Sequence, residues 1–432
     1  MSNFQIALIA LFIGIFGFAV LVFSGIIKIG RGSTQTASGD VLVWGTYSET
    51  AMTAYLSDFS RRDKEYNISY VQIAPENFDQ AFIEALASGV GPDIILVGND
   101  SFLRHQDKLF IIPYTSYPER TFRDTYLDGS YLYLTRAGII GVPVTVDPLV
   151  LYYNKNLLAR DGIITPPSTW EDLARMSPLI VGKSKQGGLE TTTIALGEYA
   201  NIPHFKHILS ALFLQAGNGI VAEDRLSNGY ASVLQNTAPN GGTAADALRF
   251  YLSFANPVNE LYTWNRSLPS ARDAFIGGTS AFYIGSASEL FDIQSQNPNL
   301  NFDVALLPQP ETNEQAVTYG TFTAASVVKS TKNFSAAYAA LLEFGSDTFA
   351  TFMSKTLSVP PAHRALLLDR PQSPYLNVFF STAAVTFSWP DPDIAKTDQA
   401  FRDMIRNVSS GRTTPEEAVS EASKALQSAI RR

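Results

Sequence analysis

The sequence predicts an α/β protein of two lobes carried behind one N-terminal membrane-spanning helix. Three observations lead there. The chain has 432 residues, too many for one ordinary hydrophobic core. Its opening holds a long uncharged apolar run. Behind that run, strand and helix patterns alternate in the order β-α-β-α-β, which requires a parallel sheet with covering helices.

The apolar run comes first. From Ile6 to Ile27 there are 22 residues without a charge, and Ser24 is the one conventionally polar side chain among them. At ~1.5 Å per residue a helix of that length reaches ~33 Å, enough to cross a hydrocarbon core of ~30 Å. A cleaved signal peptide would have a shorter apolar region, a preceding positive charge and a following A-x-A-like site. None of these is present, so an uncleaved anchor over residues 6–27 is expected. The nearby charges, Lys28 and Arg31, follow the run and by the positive-inside rule favour a cytoplasmic location for what comes next. Two charges are a weak bias, and a large folded domain can translocate regardless. Residues 28–39 read as a Gly/Ser/Thr-rich tether.

Val41 to Trp44 then reads as a buried strand ending at Gly45, followed by an amphipathic helix over 49–62. Residues 68–73 form the next strand and 78–87 the next helix. Gly91-Pro92-Asp93 breaks the chain before the strand 94–97. Ligands of such sheets sit beyond the carboxyl ends of the strands, which selects the loops 45–49 and 98–101. The middle third is richer in helix. Ser168 or Thr169 can cap a helix starting at Trp170, and residues 302–307 read as a strand closed by Pro308. Thr414-Pro415-Glu416-Glu417 starts a last helix whose Ala418, Ala422, Leu426 and Ile430 form one apolar face.

Composition excludes several functions. Net charge is −8 with no basic stripe, so nucleic acid is not an expected partner. There is no cysteine, which removes disulfides, thiolate metal sites, a cysteine nucleophile and a lipid-modified N-terminal cysteine. Gly182-Lys183-Ser184 resembles the end of a phosphate-binding loop, but Ser177 stands where its first glycine is needed. His204 and His207 lack the His-Glu-x-x-His context of a zinc site and read as two polar residues on a helix. No Gly-x-Ser-x-Gly elbow exists for a serine hydrolase. No cofactor, metal or catalytic residue is expected. Paired carboxylates stay open, because 40 acidic residues offer many pairs to a glycoside-processing enzyme and equally to a sugar-binding site.

Several segments then fall in a telling order. Ala85-Leu86-Ala87-Ser88-Gly89 precedes Gly91-Pro92-Asp93-Ile94-Ile95. Gly141-Val142-Pro143, Asp147, and Leu151-Tyr152-Tyr153-Asn154-Lys155-Asn156-Leu157 follow, then Pro166-Pro167-Ser168-Thr169-Trp170-Glu171-Asp172-Leu173. Phe275 to Phe282, Asp303 to Pro308, Pro360 to Arg364 and Gly411 to Ala418 complete the set. Together they resemble the extracellular solute-binding proteins of ABC importers, in particular the maltose- and sugar-binding members of the type II periplasmic-binding-protein class.

That resemblance, over about residues 40–430, implies two α/β lobes joined by hinge crossovers near 146–149, 318–321 and 357–359. It assigns 40–148 with 320–357 to lobe 1, and 149–319 with 358–432 to lobe 2. It also implies a monomer on the extracytoplasmic side of the membrane that closes on a small polar solute, a carbohydrate, and hands it to ABC permease subunits. A ligand-sensing protein without a transport role uses the same fold. Sugar sites pair aromatic platforms with polar side chains, so Trp44, Tyr47, Glu49, Asp100, Asp147, Trp264, Tyr319 and Trp389 are the candidate ligand residues. Trp44 ends a buried strand and fits the core equally well; Asp147 precedes Pro148 and fits a turn. The family's aromatic after the glycine matching Gly285 is missing, since Ser286-Ala287-Ser288 follows.

Overall fold

The computed structural model describes residues 39–62, 66–224, 229–238 and 241–430. The expected anchor and all but the last residue of the tether lie outside these. Among the described residues, no helix is long and apolar enough to cross a membrane.

The chain begins with the predicted alternation. Strand β1 (Gly39–Gly45) buries Val41 and Val43 completely, and helix α1 (Glu49–Arg62) turns Ala51, Met52, Tyr55 and Phe59 inward. Glu49 opens that helix and Arg61 and Arg62 close it, charges that complement the helix dipole. Strand β2 (Tyr66–Gln72) pairs parallel with β1, placing Val41 opposite Ile68. Helix α2 (Pro75–Ala87) starts on a proline and packs Phe78, Phe82 and Ala85. Strand β3 (Ile94–Gly98) joins the other edge of β1, also parallel, and leads directly into the short helix α3 (Asn99–His105).

Strand β4 (Val142–Asn154) holds the molecule together. Its first half contributes Val144 and Val146 to one apolar core; its second half contributes Leu149, Val150, Leu151 and Tyr152 to another. Helices α4 (Trp170–Ile180) and α5 (Phe205–Gln215) belong to the second core. Strands β5 (Phe282–Ser286) and β6 (Phe302–Ala305) pair antiparallel with the second half of β4. Strand β7 (Thr318–Val327) runs antiparallel beside the first half of β4 and beside β3, with Thr321 opposite Asp147 and Thr323 opposite Gly98. Strand β8 (Thr386–Phe387) adds to β7 in parallel. One eight-stranded sheet, ordered β5-β4-β7-β3-β1-β2 with β6 on β4 and β8 on β7, thus runs through both lobes. This is the two-lobed α/β architecture.

Two crossings fall where β4 and β7 pass from one core to the other: Val146 to Leu149, and Tyr319 to Phe322. The third corrects the sequence expectation. Helix α6 (Phe334–Phe344) and helix α7 (Asp347–Leu357) pack on lobe 1, but the chain does not leave that lobe at 357–359. Val146 N donates to Pro360 O, Ala362 N to Val144 O and Arg364 N to Thr125 O, which holds residues 360–364 against lobe 1. The passage follows Arg364 and precedes helix α8 (Pro374–Ala383), whose Tyr375 packs on Phe302 of lobe 2. Helices α9 (Ile394–Ser409) and α10 (Pro415–Ile430) close lobe 2, and Ala418, Ala422 and Leu426 are buried on the predicted face. Thr169 caps α4 in a reciprocal box with Asp172, as the Ser-Thr-Trp segment suggested. Gly39, the last residue of the expected tether, belongs to β1 instead.

Candidate solute-binding cleft

In a parallel sheet the strand ends leave backbone groups and loop side chains facing the opposite lobe. The first such loop leaves β1 at Gly45, where a Cβ would lie 2.6 Å from Leu96 O, so only glycine allows β1 and β3 this closeness. Tyr47 follows and is buried. Its hydroxyl shares a hydrogen bond with Thr145 Oγ1 at 2.5 Å, and its carbonyl accepts from Tyr70 OH at 2.7 Å. Burial pushes its phenol well above the usual tyrosine range. Trp44 is half-buried against the lobe 1 core, and Glu49 is exposed at the lip of the cleft with its N–H held by Gln72.

The second loop leaves β3. Asn99 is buried and bonds in three directions: Oδ1 accepts from Phe322 N at 2.9 Å, while Nδ2 donates to Ser388 Oγ at 2.8 Å and Trp389 O at 3.3 Å. It ties lobe 1 to the segment that enters α9. Asp100 stands beside it, half-buried, its carboxyl pushed up to about 6 by burial first and then by the negative charge of Asp391. Asp147, at the β4 crossing, accepts from Ser288 N at 3.0 Å and from Ser288 Oγ at 2.6 Å. Burial raises it too, to about 6, against the lowering effect of those two bonds.

Lobe 2 answers with groups from α5 and the loop before α9. Lys206 Nζ, almost fully buried, donates to Asp391 Oδ2 at 2.6 Å and Thr397 Oγ1 at 2.7 Å, 5.4 Å from the Trp389 ring centroid. His207 stacks on Tyr319 at 4.9 Å, and burial lowers its imidazole to about 3, so it is neutral at any ordinary pH. His204 bonds Glu289 at 2.5 Å, and Glu289 also accepts from Tyr283 OH at 2.7 Å.

Between α2 and α9 a groove of about 620 Å³ opens, lined by Pro75, Asp79, Ile83, Arg104, Ile394 and Asp398. Arg104 closes one side by pairing with Asp79 at 2.8 Å and reaching Asp393 of lobe 2 at 3.7 Å. Past Arg104 a second hollow of about 650 Å³ carries Asp107, Asp224, Tyr230, Asp393 and Lys396. Among the described residues no cluster of three or more metal-ligating side chains occurs.

Of the eight candidate residues, Tyr47, Asp100, Asp147 and Tyr319 meet around the crossing strands, while Trp44 near the end of β1 and Glu49 at the start of α1 flank the loop that carries Tyr47. Trp264 is a correction: it has no exposed surface, sits in the lobe 2 core and donates its indole N–H to Asn201. No ligand reaches it. The Trp389 ring is likewise inside lobe 2, stacked 6.3 Å from Phe401 and bonded to Ser210; its backbone carbonyl alone faces lobe 1. Sequence reasoning missed Asn99, Arg104, Asp79 and Asp398, and read His204 and His207 as two polar residues on a helix. The position of Asn99 immediately after the Pro-Asp strand was an available signal. The others become visible only when the lobes face each other.

The profile described as "Bacterial extracellular solute-binding protein" matches residues 45–347, more than half the chain. The chain belongs to that family. Among solved structures, a cyclo/maltodextrin-binding protein complexed with maltotetraose superposes with TM-score 0.72 at 17% identity, covering 93% of this chain and 99% of that one. The cyclic α-maltosyl-1,6-maltose binding protein of Arthrobacter globiformis gives 0.73 at 19% identity, covering 91% and 99%. The maltose/maltodextrin-binding domain of Bdellovibrio bacteriovorus bound to maltotriose gives 0.65 at 16% identity, covering 91% and 100%. At such identities these likenesses establish a shared fold.

Proposed function

We propose that this chain is a membrane-anchored, extracytoplasmic solute-binding protein that captures a small polar solute, a carbohydrate, and delivers it to an ABC permease by hinge closure. The observation that carries the reading is the polar cleft built from both lobes at the ends of β1 and β3. Asp100 and Asp147, both half-buried, offer carboxylate acceptors to solute hydroxyls, with Tyr47 and Tyr319 buried beside them and Trp44 and Glu49 flanking the loop that carries Tyr47. The oligosaccharide ligands named for the structural neighbours support the solute class. Closure follows when contacts to both lobes exist only in the closed state. The 22-residue apolar run supports the anchor. Nothing in the cleft requires a reaction, so binding without turnover is the simpler reading.

One observation favours a second solute class. The groove beside Arg104 has no aromatic lining and carries Glu76, Asp79, Glu84 and Asp398 against a single cation. A solute bearing an amino group would find more partners there than a plain sugar. A thermal-shift panel of sugars, amino sugars, polyamines and peptides separates the two. A ligand at 100 times its Kd raises stability by about 2.7 kcal/mol. Shifts with neutral oligosaccharides support the carbohydrate reading; shifts confined to amines replace it. Turnover of an oligosaccharide, lost on removing a cleft carboxylate, would instead establish a glycoside-processing enzyme.

A further inference from the structure

At the end of β1 opposite the cleft lies a face that combines exposed aromatic and aliphatic side chains with lysines. Helix α6 places Phe334, Tyr338 and Leu342 four residues apart, hence on one stripe. Phe334, at the start of the helix, is 42% exposed, and Leu342, in its last turn, is 51% exposed. Phe334 stacks on Tyr338 and meets Phe110 edge-on at 4.7 Å, which extends the apolar stripe onto the neighbouring segment. Lysines lie at its Phe334 end. Lys329 and Lys332 are exposed just before the helix, and Lys329 N donates to Lys108 O beside Phe110. The acids nearby are Asp107, already bonded to Lys108 Nζ; Asp93, which accepts from Thr331 Oγ1; Glu343, next to Leu342 and already held by Tyr55 OH and Arg62; and Asp40.

This is also the face at which the tether arrives. Asn333 Nδ2 donates to Asp40 O at 2.9 Å, and its side chain lies beside Gly39, the first described residue. Residues 28–38 separate Gly39 from the end of the apolar run; they contain Lys28 and Arg31 and no acid. Eleven residues reach at most about 40 Å. An apolar stripe with three lysines at its Phe334 end, held within that reach of a membrane-spanning segment, matches an interfacial surface that buries its aromatic side chains at headgroup depth and pairs its cations with anionic lipid.

We propose that the Phe110–Phe334–Leu342 face, with Lys108, Lys329 and Lys332, docks the domain on the anionic lipid surface of the membrane that anchors it. The inference rests on the anchor part of the functional reading. Docking through this face points the opposite end of β1, about 20 Å away, outward. The cleft is then open to arriving solute and turned from the bilayer, and delivery to a permease requires release from the surface.

The experiment uses the full chain in lipid nanodiscs. Because the chain has no cysteine, Ser330→Cys gives a single labelling site on the exposed turn before α6. A polarity-sensitive fluorophore there is read against brominated lipid, in discs of phosphatidylcholine alone and with 30 mol% phosphatidylglycerol. Quenching confined to the anionic discs and lost in high salt is expected. Lys329→Gln with Lys332→Gln should lower the docked-to-undocked ratio roughly 25-fold, at about fivefold per lysine. Phe334→Asp with Leu342→Asp should abolish quenching; because Phe334 also gives up its ring contacts with Phe110 and Tyr338, circular dichroism of the variant checks that the fold is kept. Equal exposure of the label in both disc types, or quenching unchanged in these variants, overturns the proposal. A chain that elutes free of the discs overturns the anchor and this inference together; a retained chain with an unquenched label overturns the inference alone.

Discussion

Asp100 is where single-residue chemistry is most exposed to test. Its carboxyl titrates near 6 in the folded protein because it is desolvated and faces Asp391. Its unfolded value is near 3.9. A raised folded value means the folded state binds the proton more tightly, so this group's stabilising contribution is present below about pH 4 and lost as pH rises through about 6. Asp100→Asn mimics the protonated form. It should therefore be more stable than the parent at pH 8, by about 2 kcal/mol, with the advantage vanishing towards pH 4; paired melting curves at several pH values check this. If the ionised carboxylate accepts solute hydroxyls, calorimetry should show affinity falling as pH drops through about 6 in the parent but not in the variant. The sequence puts Asp100 in the segment 98–101 beyond the carboxyl end of β3, and the structure places it there, in the first turn of α3. Trp264 was misread for a physical reason: an indole with a hydrogen-bonding N–H looks the same in a one-dimensional pattern whether it stacks on a sugar or, as here, bonds Asn201 inside a core.

At the scale of elements, local signals served well wherever they were strong. The β-α-β-α-β start, the Thr169 cap and the four-residue repeat of α10 appear as predicted, because propensity, patterning and capping all point the same way there. The third crossing, which the resemblance puts at 357–359, lies later in the chain, because residues 360–362 bond along β4. Only long-range pairing decides that. The hinge also depends on Gly320 in β7. A Cβ there would lie 2.5 Å from Thr386 Cγ2, 2.8 Å from Asp147 O and 2.9 Å from Pro148 Cα, two of them in the facing backbone. Gly320→Ala should cost about 1–3 kcal/mol by overpacking the point where β4, β7 and β8 meet. Thr169→Ala, which removes a cap remote from the hinge, should cost about 1 kcal/mol. Chemical denaturation measures both. Solute affinity should drop beyond the stability effect only in the glycine variant, since only that change touches the crossing.

For the whole molecule, the question is how far the lobes hold each other without solute. Among the described residues, two ion pairs span them: Arg104 to Asp393 at 3.7 Å, and Arg136 to Glu223 at 3.8 Å. Both are partly exposed, and such pairs contribute up to about 1 kcal/mol each. The buried bonds from Asn99 to Ser388 and Trp389 lie at the pivot, where they constrain the axis more than the angle. The ion pairs act far from the crossings and so set the closed fraction. Removing both, as Arg104→Ala with Arg136→Ala, should shift the open-to-closed ratio up to about 25-fold towards open. Apparent affinity scales with the closed fraction, so the outcome depends on where the parent starts. A parent that is mostly closed before binding loses little affinity and gains radius of gyration in the double variant. A parent that is mostly open keeps its radius and loses affinity by the full factor. Small-angle scattering with and without solute, at low and high salt, distinguishes these cases. A radius and an affinity both unchanged by the double substitution would show that the pairs do not govern closure.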